Sequence, residues 1–146
     1  MKLFTIGFTN KSAEHFFTAI AASGAKRIVD VRLKNVSQLA GFAKKQDLAY
    51  FLKEICGIDY VHVPLLLAPT PRLLEDYRKG RIDWPQYERE FLSLMRDRQI
   101  ERALPRATVA DGCLLCSEDR PHQCHRRLVA EYLNDAWGDI AIEHLI

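Results

Sequence analysis

No run of this chain stays apolar for the roughly 18 residues that a membrane span requires. The opening residues, Met1 to Gly7, also lack the apolar stretch of a signal peptide. A soluble, unprocessed protein with no membrane partner is therefore expected. The chain has no marked charge of either sign, since 21 Lys and Arg stand against 19 Asp and Glu for a formal net charge of +2. That is far from the basic excess of a dedicated nucleic-acid binder, so charge permits nucleic acid as a partner without requiring it. Four cysteines, at 56, 113, 116 and 124, do not make a secreted disulfide framework in a chain this size. They are expected to be reduced, which places the protein in the cytoplasm. Missing as well are a phosphate-binding Walker loop, a Gly-rich dinucleotide fingerprint and a known catalytic triad. No cofactor is expected, and a nucleotide ligand follows only from cationic residues and fold class. Oligomeric state is not encoded legibly; Trp84 and Trp137 read more simply as packing residues than as an interface.

What is present is a regular alternation. With 146 residues, 48% of them hydrophobic, the chain suits one domain with a substantial core. Lys2 to Ile6 is strand-like and closes on Gly7, after which Ser12 to Ser23 sets Phe16, Phe17, Ile20 and Ala21 at helical spacing before Gly24. Arg27 to Val31 is again strand-like. Gln46 to Cys56 then places Leu48, Phe51, Leu52 and Ile55 on one helical face, with Gly57 as the stop. Asp59 to Leu66 reads as a third strand, and Asp83 is a natural N-cap for a helix through Tyr87, Phe91, Leu92 and Met95. Gly112 to Cys116, Pro121 to Leu133 and Ile140 to Ile146 complete the pattern as strand, helix and strand. The expectation is one α/β domain, 1–146: a mainly parallel sheet of about five strands flanked by helices, Rossmann-like in three layers. The charge-dense stretch from Arg72 to Arg106 interleaves both signs and reads as a solvated helical face.

In such sheets ligands bind beyond the carboxyl ends of the strands. Polar residues cluster at those predicted ends: Thr5, Gly7 and Asn10; Asp30 and Arg32; Tyr60 and His62; Cys116, Ser117 and Glu118. Each has a plain alternative, with Asn10 capping a helix, Asp30 pairing with Arg32 and His62 satisfied in the interior. Their coincidence on one edge argues for a shared site.

The densest stretch is Cys116 to Arg127, in which two thiols, two imidazoles, two carboxylates and three guanidinium groups fall within twelve residues. Cys113 and Cys116 lie three apart on a strand and so point to opposite faces, which speaks against a zinc pair. A smaller set from Cys116, His122, Cys124 and His125 stays open, but no bound metal is expected. Cys113 and Cys56 read as core residues. A phosphatase-type loop also fails, because the sixth residue after Cys116 is His122, not arginine. What remains is a cysteine at a helix start. Pro121 suits a first turn, and Cys124, His125 and Arg126 would follow in the opening turns, where the helix dipole favours a thiolate. Cys116 would be its partner or the principal nucleophile. Arg32 with Arg126 or Arg127 would hold a phosphate or carboxylate.

These residues resemble a known family. Thr5-Ile6-Gly7 with Asn10, Asp30-Val31-Arg32 with Ser37 and Phe42, Tyr60 with His62, and Leu115-Cys116-x-Glu118 leading to Cys124-His125-Arg126 are similar to the prokaryotic domain-of-unknown-function family numbered 488. The resemblance runs over nearly the whole chain, and its last motif is the most specific. It implies a compact α/β domain with these motifs gathered, and it carries no settled activity. Two departures suggest a distinct subgroup: Phe8 where the family often has histidine, and Leu67-Ala68-Pro69-Thr70 where it often has a Leu-Gly-Gly stretch. The function expected is an enzyme acting on a small anionic ligand, a class that includes nucleotides and nucleic-acid ends. Cys116, Cys124, Glu118 and Asp30 are the candidate catalytic residues. Thr5, Gly7, Asn10, Arg32, Ser37, His62, His125 and Arg126 are the candidate ligand contacts. The alternatives are a non-catalytic nucleotide or nucleic-acid binding module with salt-sensitive affinity, and a thiol redox or metal sensor built on Cys116 and Cys124.

Overall fold

The computed structural model describes residues 1–35 and 41–146. Five parallel strands form one sheet: β1 (Lys2–Gly7), β2 (Arg27–Asp30), β3 (Asp59–His62), β4 (Cys113–Cys116) and β5 (Ala141–His144), in the spatial order β3-β2-β4-β1-β5. Helices cover both faces, giving the three-layer α/β architecture expected. Among the described residues no helix is long and apolar enough to cross a membrane.

Strand alternation divides the core in two. Leu3, Val29, Val31 and Leu114 face one side, where they pack with Phe91 and Met95 of α5 (Trp84–Arg98) and Leu128, Val129 and Leu133 of α8 (His125–Trp137). Phe4, Ile6, Ile28, Cys113 and Leu115 face the other, against Phe16, Phe17 and Ile20 of α1 (Ala13–Ser23) and Leu48 of α2 (Lys45–Phe51). Cys113 and Cys116 thus lie on opposite faces of β4, which rules out their joint ligation of one ion through that strand.

Local chemistry sets the element boundaries. Ser12 caps α1, its hydroxyl accepting from His15 N at 3.1 Å, and Asp83 caps α5, its carboxylate accepting from Gln86 N at 2.9 Å. After α2 the backbone continues as a π-type segment, Leu52–Cys56, and stops at Gly57, whose φ of 68° a side chain would resist. Two sequence boundaries are corrected. The third strand ends at His62 and not Leu66, because Pro64 has no N–H to give the ladder and starts the one-turn α3 (Pro64–Leu67). The last long helix starts at His125 and not Pro121; Pro121 lies in a turn whose carbonyl accepts from Cys124 N at 3.2 Å, so Cys124 becomes the N-cap.

Between β3 and β4 the chain runs through α4 (Pro71–Arg78), α5, α6 (Ile100–Ala103) and α7 (Arg106–Val109). Thr70 caps α4, its hydroxyl accepting from Leu73 N at 3.2 Å. Arg98 donates to the carbonyls of Leu66 at 3.0 Å and Ala68 at 2.6 Å, which pins the stretch that departs from the family pattern.

Candidate functional site

Register brings the strand ends into line. Gly7 pairs with Cys116, and Asp30 pairs with Leu115 on one side and His62 on the other. A cleft of about 430 Å³ opens over this edge, with Cys116, Cys124, His125 and Arg32 among its lining and Phe8, Tyr77 and Trp84 as apolar walls.

At its base lies a thiol–imidazole pair. Cys116 Sγ sits 3.5 Å from His125 Nδ1, while His125 Nε2 lies 2.8 Å from the Val31 carbonyl oxygen. A carbonyl only accepts, so Nε2 carries a proton and donates it, which turns Nδ1 toward the sulfur. Cys124 completes the group: Cys116 Sγ, Cys124 Sγ and a ring nitrogen of His125 lie within 4.8 Å of one another. The pair polarises in one direction. The Cys124 thiol hydrogen-bonds to Cys116 and holds it well below the usual thiol range; burial opposes this, and His125 and Arg126 add to it. Burial, together with the negative charge of Cys116, pushes the Cys124 thiol well up. Burial works against a charged His125, yet the charge and hydrogen bond of Cys116 prevail and raise its pKa. These directions together favour charge separation between Cys116 and His125, with Cys124 as the thiol that keeps its proton.

A buried arginine–carboxylate pair sits at the other wall. Arg32 is 5% exposed and grips Asp30 through Nε at 2.9 Å and Nη2 at 2.7 Å, while Nη2 also reaches the Ala43 carbonyl at 2.8 Å. Its Nη1 is buried with no hydrogen-bond partner among the described residues. Burial tends to lower the Arg32 pKa, but the bonds and charge of Asp30 outweigh it and raise it. The Phe8 ring lies under the guanidinium, 5.2 Å from ring centroid to guanidinium carbon. The position that often holds histidine in the family therefore supplies a π-face here, with no proton to exchange. Asp30 also accepts from the Tyr60 hydroxyl. His62 donates from Nε2 to the Arg32 carbonyl at 2.6 Å, and its Nδ1 meets the Asn35 amide nitrogen at 3.1 Å, so the ring braces the Arg32 backbone.

Behind the cleft, Arg126 is fully buried. It donates to the carbonyls of Glu118 and Asp119 and, through Nε at 3.3 Å, to the Thr5 hydroxyl. That hydroxyl also hydrogen-bonds with His144 Nδ1 at 2.6 Å, and burial followed by the nearby Arg126 charge lowers the His144 pKa. Lys11 ties the same loop through Asp119 at 2.7 Å. Gly7 is where the loop presses closest: a Cβ there would lie 1.6 Å from the Glu118 carbonyl oxygen. Gly7→Ala is expected to lower stability by about 2 kcal/mol or more, as an overpacked contact that backbone must relieve. A urea midpoint within experimental error of wild type would show that the loop yields freely.

A family model described as "Domain of unknown function DUF488" matches residues 12–133. The chain belongs to this family. No match was found among curated proteins or among solved structures.

In this DUF488 chain the proposed site residues divide by position. Cys116, Cys124, His125, Arg32 and Glu118 meet at the cleft, Glu118 as an exposed rim residue. Asp30, His62, Thr5, Gly7 and Arg126 lie behind it and hold the others in place. Asn10 sits apart, exposed at a φ of 62°, and the helix cap assigned to it belongs to Ser12. Ser37 lies outside the described residues. The thiol shifted down is Cys116; Cys124, at the helix start where the dipole favours a thiolate, is shifted up, first by burial and then by the hydrogen bond and charge of Cys116. Arg127 pairs with Glu88 and Glu131 at the surface and plays no part in the cleft.

The sequence reading missed the far wall. Tyr77, Arg78 and Trp84 line the cleft from α4 and α5, within the stretch read as solvated. Its outer face does carry exposed ion pairs such as Lys79–Glu75 at 2.7 Å. The signal available was aromatic spacing, since Tyr77, Trp84 and Tyr87 form one cluster with centroid separations of 4.9 to 5.7 Å.

Proposed function

We propose that this protein is a cysteine-dependent enzyme acting on a small anionic ligand, with the Cys116 thiolate as nucleophile. The observation that carries it is Cys116 Sγ held against His125 Nδ1 in a cleft that Arg32 also lines, with Arg32 Nη1 buried and lacking a hydrogen-bond partner among the described residues. A thiolate of this kind attacks an electrophilic centre to form a covalent bond to sulfur. The leaving group departs with the pair of electrons from the broken bond and takes the proton from His125. Arg32 Nη1 supplies a charge-assisted hydrogen bond to the ligand's phosphate or carboxylate, and Asp30 fixes that guanidinium in place. Glu118 at the rim exchanges protons with solvent. Nucleotides and nucleic-acid ends belong to the ligand class.

Native alkylation kinetics test the assignment. With iodoacetamide, Cys116 should label faster than the other three thiols from pH 6 upward, and buried Cys113, pushed up by desolvation, should label slowest. Inorganic phosphate should slow Cys116 labelling in wild type and lose that effect in Arg32→Lys, which keeps a cation on Asp30 but removes the forked donor. Labelling of Cys116 no faster than that of half-buried Cys56 below pH 8 would overturn the nucleophile. Phosphate protection that survives Arg32→Lys would overturn the anchor.

A further inference from the structure

Alkylation chemistry needs one thiol, yet the cleft holds two. Cys124 is 2% exposed, lines the same cavity, and its sulfur lies within 4.8 Å of the Cys116 sulfur and a His125 nitrogen. The other two cysteines are elsewhere: Cys113 packs on the opposite face of the sheet, and Cys56 follows α2. A thiolate beside a protonated thiol, eight residues apart across a loop, is the arrangement of an attacking and a resolving cysteine. We infer that Cys116 and Cys124 form a two-thiol centre that reduces hydroperoxides and closes to a disulfide. This inference rests on the Cys116 nucleophile proposed above and adds a second activity at the same cleft.

The steps balance. The Cys116 thiolate attacks the terminal oxygen of a hydroperoxide ROOH, forming an S–O bond and breaking O–O. The departing alkoxide takes the His125 proton and leaves as ROH. Cys116 is now a sulfenic acid, oxidised by two electrons as the peroxide is reduced by two. Neutral His125 then accepts the proton of Cys124, whose thiolate attacks the Cys116 sulfur. The S–O bond breaks, and hydroxide leaves as water with the proton returned by His125. An external thiol restores both cysteines by exchange. Charge around the cluster favours this chemistry over metal capture. The charge of buried Arg126 acts on both sulfurs, and buried Asp30 is already engaged by Arg32. A divalent cation would meet the Arg126 charge, whereas a thiolate or sulfenate is stabilised by it.

The test uses the full chain, freshly reduced, treated with chelator and then with one equivalent of hydrogen peroxide. Wild type should lose two of its four titratable thiols and about 2 Da of mass, with peptide mapping joining residues 116 and 124, and dithiothreitol should reverse both. Cys124→Ser keeps a hydrogen-bond donor but cannot resolve. It should instead gain about 16 Da at Cys116, trapped by a 1,3-diketone that detects sulfenic acid. Persistent sulfenic acid in wild type, or a disulfide involving Cys56 or Cys113, would overturn the inference. So would stoichiometric zinc in the isolated protein that protects Cys116 and Cys124 until chelated. Rapid low-pH alkylation of Cys116 without disulfide formation would sink the two-thiol centre alone and leave the nucleophile standing; slow alkylation would sink both.

Discussion

Replacing His125 with glutamine should slow alkylation of Cys116 at pH 6 by about tenfold or more, and should move the rise of the rate–pH profile toward the ordinary thiol range near 8.5. The sign follows from the pair. Cys116 is held low first by the hydrogen bond from Cys124, then by the charge and hydrogen bond of His125, against burial. Glutamine removes the positive charge and leaves the Cys124 bond, so thiolate is lost from the acid side while reactivity at high pH is kept. In wild type the rate should rise through the lowered Cys116 pKa and hold a plateau across neutral pH. Each unit of upward shift is a tenfold loss of thiolate on the acid limb. An unchanged profile in His125→Gln would mean that Cys124 and Arg126 alone activate the sulfur.

The second large effect is on stability. Arg126→Met should cost roughly 3 kcal/mol, because methionine fills part of the arginine stem but leaves the Glu118 and Asp119 carbonyls without their donor. Thr5 keeps its bond to His144 and dampens the loss. Urea unfolding measures the change directly. A cost below about 1 kcal/mol would show that water replaces the guanidinium at no great penalty. Since Arg126 also helps hold Cys116 low, the variant should lose part of the fast alkylation phase even where it stays folded.

The sheet was legible because strands buried on both faces read as short, mainly apolar runs, and Leu3 to Ile6, broken only by Thr5, Ile28 to Val31, broken only by Asp30, and Cys113 to Leu115 do so here. Helix ends were legible where a side chain makes the cap, as at Ser12 and Asp83. They were misplaced where backbone decides, as at Cys124, whose capping position comes from a turn with no side-chain bond. Within the site, Cys116 and Arg32 were visible as reactive types at strand ends, and His125 in the opening turns of a helix. Their division of labour was hidden because it depends on distances of a few ångströms between residues far apart in the chain, such as Val31 and His125. No local pattern tells Asp30 that its partner has a nitrogen without a hydrogen-bond partner among the described residues, or tells Cys124 that a second thiol lies opposite.

The loop from Ser117 to Gln123 is fastened mainly through its main chain. Carbonyls of Glu118 and Asp119 meet Arg126, Thr9 N donates to the Ser117 carbonyl at 3.0 Å, and the Asp119 side chain adds a tie to buried Lys11. A loop held this way separates two kinds of inheritance. Its footing, Gly7 and Arg126, must stay fixed, while side chains at Ser117, Glu118, Arg120 and Gln123 can be exchanged without disturbing the anchor. The rim of this cleft can therefore change its chemistry while the Cys116 sulfur keeps its position.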